Sequence, residues 1–150
     1  LWNGPTWPFT NSTVLMGLAN AVRRTTHQNS RALLQKLFAD LLTRYTMMCF
    51  RDGNLADPII YEHYNPETGK PISQEEDYFH STWIDLIVSY VAGIVPLSDG
   101  QVAFNPIVCG LESFSLQGVR VASHVIDVEF DRTNGYRAKI DGRLASQQRC

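Results

Sequence analysis

The spacing of the apolar residues changes once along this chain of 150 residues, and that change limits the folds open to it. Before about Val95 the periodic segments have helical spacing, three and four residues apart. From Gly100 onward they alternate within short segments: Gln101 to Phe104, Leu111 to Leu116, Val119 to Ala122, Val125 to Phe130 and Tyr136 to Ile140. That is the pattern of strands with one wet face, Ile126, Val128 and Phe130 pointing inward while Asp127 and Glu129 meet water. Asn134-Gly135 and Asp141-Gly142 are two-residue hairpin signals. A helical part followed by an antiparallel β part is therefore expected, with the boundary near Pro96 to Gly100.

Three helices are expected before that boundary. The first covers residues 12 to about 24, with Asn11 or Ser12 as its N-cap. The second runs from Asn29 or Ser30 to about Cys49 and places Leu33, Leu34, Leu37, Phe38, Leu41, Leu42, Tyr45 and Met48 on one stripe. The third starts at Ser73 or Asp77 and ends near Val95; it is apolar around almost its whole circumference, so it should be packed on all sides. Asp85 would then be a buried carboxylate in need of partners. Between the second and third helices lies a long segment with Pro58, Pro66, Gly69 and Pro71 and no periodicity, and loops of that length are usually functional.

Glu62 lies in that loop, within Tyr61-Glu62-His63-Tyr64-Asn65-Pro66-Glu67-Thr68-Gly69. Upstream stands Trp2-Asn3-Gly4-Pro5-Thr6-Trp7-Pro8, and downstream Asp77-Tyr78-Phe79-His80-Ser81-Thr82-Trp83. An acid framed by aromatics suits carbohydrate chemistry, because sugars offer apolar C–H faces to rings and hydroxyls to fixed polar groups. The Asn65 to Gly69 run should form a tight turn that holds the Glu62 backbone still.

Together these three segments resemble the C-terminal catalytic part of the six-hairpin glycosidases, glycoside hydrolase family 63 and its mannosylglycerate-hydrolase-like relatives. The order of motifs is followed from residue 1 to about 130, most specifically in the Glu62 loop. The resemblance implies a mainly α fold with a β appendage: residues 1–98 as the last helical hairpins of an (α/α)6 toroid and 99–150 as an antiparallel β tail. It implies Glu62 as the general base of an inverting hydrolase, with Trp2, Gly4, Trp7 and Tyr64 around the sugar. Asn3, His63, His80 and Trp83 are further candidate substrate contacts. The family's general acid is an Asp upstream of the Trp2 segment, so the acid is expected from a missing N-terminal part or a complementary chain. Gly-Trp-Thr or Gly-Trp-Ser usually follows the Glu loop in eukaryotic family 63 members; here Asp77 to Trp83 stands in that place, which disfavours processing α-glucosidase specificity.

Other classes find little support. A net charge of −2, from 13 basic and 15 acidic residues, offers no basic field for nucleic acid. No apolar stretch approaches the ~20 residues of a membrane span. Cys49, Cys109 and Cys150 form neither a C-x-x-C pair nor a disulfide framework, and the four histidines lack metal-ligand spacing, so no metal or other cofactor is expected. A non-catalytic carbohydrate-binding or interaction module is the alternative to an enzyme.

Overall fold

Pro8 opens the first helix, since a proline in the first turn loses no helical hydrogen bond and its fixed φ suits the helix. In the computed structural model, which describes residues 4–78, 82–108 and 110–148, α1 spans Pro8–Arg24 and α2 spans Gln28–Met48. Helix α1 thus starts four residues before the expected start at residue 12. Ser12 is instead in its buried stripe with Pro8, Leu15, Ala19 and Val22, and its hydroxyl donates to Tyr45 Oη of α2 at 3.1 Å. A buried hydroxyl needs such a partner, and this one joins the two helices.

Helix α2 buries a narrower stripe than expected. Phe38, Leu42 and Tyr45 are buried, whereas Leu33, Leu37 and Leu41 stay 59%, 42% and 40% exposed. The expected third helix is largely absent. Trp83–Leu86 forms one short α turn (α3), a π turn covers Ile87–Val91, and strand β1 begins at Ile94. Gly93 breaks the helical path with φ +73°; a Cβ there would meet Pro106 N at 2.2 Å. Asp85 is exposed, so the buried carboxylate inferred from an all-round apolar helix does not occur.

The chain divides into two compact units, Leu1–Leu86 and Ile87–Cys150. In the second, β1 (Ile94–Pro96) pairs antiparallel with β2 (Val102–Phe104). A separate four-stranded meander follows in the order β3 (Ser113–Val121), β4 (His124–Asp131), β5 (Gly135–Ile140), β6 (Arg143–Gln148). Its core gathers Ile126, Val128, Phe130, Tyr136 and Ala138 with Ala92 and Ile94, and Tyr136 Oη donates to Ala92 O at 2.6 Å.

The two strands expected at 111–116 and 119–122 are one strand with a bulge between Leu116 and Val119. Gly118 supplies its positive φ, and its N–H donates to Asp127 Oδ1 at 2.8 Å. Asp127 therefore holds the bulge rather than simply facing water. Asp141-Gly142 makes the two-residue turn its composition implies, both residues at positive φ. Asn134-Gly135 does not: Asp131 pairs with Gly135 across a three-residue loop, its Oδ1 accepting from the N–H of Thr133 and Asn134.

Among the described residues, two long helices in the first unit and six antiparallel strands in two sheets in the second make a mixed α and β architecture. This corrects the mainly α expectation and the partial (α/α)6 toroid. The expected last hairpins required a third full-length helix, and the described residues between Ser73 and Val95 form loop, two short helical turns and the start of a strand instead.

Candidate active site

The loop that carries Glu62 is built from cross-ties rather than from regular structure. It leaves α2 through Cys49, whose carbonyl accepts from Ile59 N–H at 2.9 Å, and a 3-10 turn at Arg51–Gly53. Asn65 then folds the loop tip, its Oδ1 accepting from the N–H of Glu67 and Thr68 and its carbonyl from Gly69 N–H. Asn is suited to this role because its short side chain can mimic a backbone acceptor.

Four successive N–H groups around Glu62 each find a different anchor. Tyr61 N–H donates to Tyr64 Oη at 2.8 Å, Glu62 N–H to Glu75 O at 3.3 Å, His63 N–H to Ser73 Oγ at 3.1 Å and Tyr64 N–H to Thr6 O at 2.9 Å. Thr6 N–H returns the bond to Tyr64 O at 2.8 Å. Residues more than fifty positions apart in sequence thus form one antiparallel bridge, and the Gly4 to Trp7 segment is fastened to the Glu62 loop. Burial pushes the Tyr64 phenol up to about 12, so it stays a neutral acceptor and donor.

The Glu62 side chain is 30% exposed and the His63 side chain 14%. His63 Nδ1 stands 3.6 Å from Glu62 Oε2, beyond hydrogen-bond range, and the His63 ring meets Trp7 edge to face with centroids 3.9 Å apart. His63 Nε2 is shielded and has no partner among the described residues. Glu75, which is not among the candidate site residues of the sequence, joins them: Glu62, His63 and Glu75 each bring one potential ligand atom within 4.8 Å of the others. That set could hold a divalent cation or a cluster of sugar hydroxyls.

Glu62, His63, Tyr64 and Trp7 are therefore brought together. Gly4 lies in the same segment as Trp7, exposed and at φ +131°. Trp2, Asn3 and His80 lie outside the described residues. Trp83 has a structural task, its Nε1 donating to Thr46 Oγ1 at 2.9 Å and its ring meeting Phe50 edge to face. It borders a cleft of about 310 Å³ together with Phe50, Asp77 and Tyr78. A larger cavity of about 880 Å³ is lined by α1, α2 and the Asn65 turn; Glu62 is not among its lining residues.

The sequence profile of the mannosylglycerate hydrolase MGH1-like glycoside hydrolase domain matches residues 1–81, more than half of the chain. The chain belongs to that family. The match takes in both segments joined at Thr6 and Tyr64. No curated protein sequence matches the chain. A solved structure titled "Sialidase" is similar to it with a TM-score of 0.77 and 21% identity, over 98% of this chain and 14% of that one. The chain thus spans 14% of the length of that sialidase chain, and the likeness concerns the fold alone.

Within this glycoside hydrolase domain the sequence reading also missed Tyr78. Its N–H donates to Ile60 O at 2.8 Å, and its phenol is held above the usual range by burial and by the negative charge of Glu62. A phenol that stays neutral keeps its hydrogen-bond donor. Tyr78 stands in a segment that departs from the family motif, so no spacing rule singles it out.

Proposed function

We propose that this domain serves carbohydrate hydrolysis and that Glu62 is its general base. The observation that carries the reading is the Thr6–Tyr64 bridge, which sets the Trp7 segment beside the one family-motif carboxylate. In an inverting step Glu62 removes a proton from water as the water oxygen bonds to the anomeric carbon. The glycosidic C–O bond breaks, and a carboxylic acid ~6.5–9.5 Å away protonates the leaving oxygen. That acid is assigned to a part of the enzyme outside these residues. Trp7 supports a sugar face, while His63, Tyr64 and Tyr78 offer polar groups to its hydroxyls. The class of substrate is a short glycoside.

The test is turnover by the enzyme of a panel of 4-nitrophenyl glycosides and short glycosides, mannosylglycerate among them. Glu62→Ala should lose at least about 10²-fold in kcat, the usual contribution of a positioned acid or base, while product-sugar binding by calorimetry persists. Retained turnover removes Glu62 as base. Sugar binding with no turnover by the unaltered enzyme would favour a carbohydrate-binding module instead.

A further inference from the structure

We infer that Tyr61 is a positioning residue for Glu62, locked by Arg51 on one side of the loop and by Glu76 on the other; this rests on the reading of Glu62 as base. The Tyr61 side chain is 8% exposed as a residue, and its hydroxyl is used twice. It accepts from Arg51 Nη1 at 2.8 Å and donates to Glu76 Oε1 at 3.0 Å.

Both partners are themselves fixed to the two flanks of the loop. Arg51 sits in the 3-10 turn that ends α2, and its Nε donates to Asp57 Oδ2 at 2.9 Å. Glu76 follows Glu75, whose carbonyl accepts from Glu62 N–H. Tyr78 N–H to Ile60 O completes the tie between residues 60–62 and 75–78. The Tyr61 ring, in edge contact with Tyr64 at 6.1 Å, therefore acts as a strut that ends one residue before the base.

Coulombic attraction is not the point of this arrangement. The Arg51 and Glu76 side chains are 44% and 52% exposed and 3.8 Å apart, and ion pairs so solvated contribute little. What the node supplies is direction. A hydroxyl that accepts from one fixed group and donates to another has one favourable orientation, and a base displaced by about 1 Å can lose up to about 10²-fold in rate.

Tyr61→Phe keeps the ring and removes both bonds. The expected result is a kcat lowered at least about tenfold, a KM within about twofold, and faster amide exchange at Glu62 to Tyr64 with α1 and α2 unchanged. Glu76→Gln, which keeps an acceptor, should stay near the unaltered enzyme, while Glu76→Ala should match Tyr61→Phe. These exposed-site variants carry the test if Tyr61→Phe fails to fold. Unaltered exchange at Glu62 to Tyr64, or equal kcat for Glu76→Gln and Glu76→Ala, overturns the inference. If Glu62→Ala is inactive while Tyr61→Phe is normal, only this inference falls; if Glu62→Ala is active, the reading of the base falls first.

Discussion

Trp7 and His63 meet at 85° with ring centroids 3.9 Å apart, yet the shielded Nε2 of His63 has no hydrogen-bond partner among the described residues. A buried polar atom left unpaired costs roughly 1–3 kcal/mol, and such costs concentrate where function needs the group. His63→Phe should preserve the aromatic contact and remove the unpaired nitrogen. Its denaturant midpoint should equal or exceed that of the unaltered protein while its KM for glycosides rises. A loss of stability with unchanged KM would assign His63 to structure alone.

Tyr64 is 2% exposed, and its hydroxyl accepts the Tyr61 N–H at 2.8 Å. Tyr64→Phe keeps the packing but strands that N–H, for a loss of roughly 1–3 kcal/mol. Urea unfolding should show a lower midpoint at unchanged slope. A midpoint shift near zero would mean that solvent replaces the hydroxyl.

The division of labour between sequence and tertiary context is visible in particular residues. The alternation of Ile126, Val128 and Phe130 gave β4 its inner face, because a sheet with one wet side has a period of two. The same rule could not see the bulge at Gly118, where an acceptor nine residues away, Asp127, fixes the backbone. In the helical half, Leu33, Leu37 and Leu41 share their spacing with Leu34, Phe38 and Leu42, and periodicity alone could not say which set α1 covers. The apolar run from Trp83 to Val95 reads as a helix by composition. Its path is decided by Gly93, whose close approach to Pro106 depends on a segment more than ten residues later. The Glu62 motif was legible as residues, whereas Glu75 and Tyr78 joined it through backbone ties that leave no signature in spacing.

Gly93 therefore offers a direct test of the second unit. Alanine there would need φ near +73° and would bring its Cβ to 2.2 Å from Pro106 N, a backbone atom with no rotamer to yield. Strain of about 1–3 kcal/mol from the left-handed backbone adds to the displacement of Asn105, whose N–H donates to Gly93 O. Gly93→Ala should lower stability by at least about 3 kcal/mol, read as lost near-ultraviolet dichroism or a large fall in melting temperature. A fully native spectrum would show that the β1–β2 arm can shift.

Asp141 gives the sheet a dependence on pH whose sign follows from its bonds. Its Oδ1 accepts from Val125 N–H at 2.9 Å and its Oδ2 faces His124 Nδ1 at 2.8 Å. The backbone bond first, and the histidine second, hold its carboxyl below the usual range. Asp131 is held low in the same way by Asn134 and Thr133. A carboxyl with a depressed folded value binds fewer protons than the unfolded chain, so stability from it is complete above the unfolded value of about 3.9 and declines as pH falls through the folded value. Urea midpoints should thus drop as pH falls below about 4, and the drop should shrink in Asp141→Asn and shrink further when Asp131→Asn is added. The same slope in all three proteins would mean that neither carboxyl is stabilised by the turns it closes.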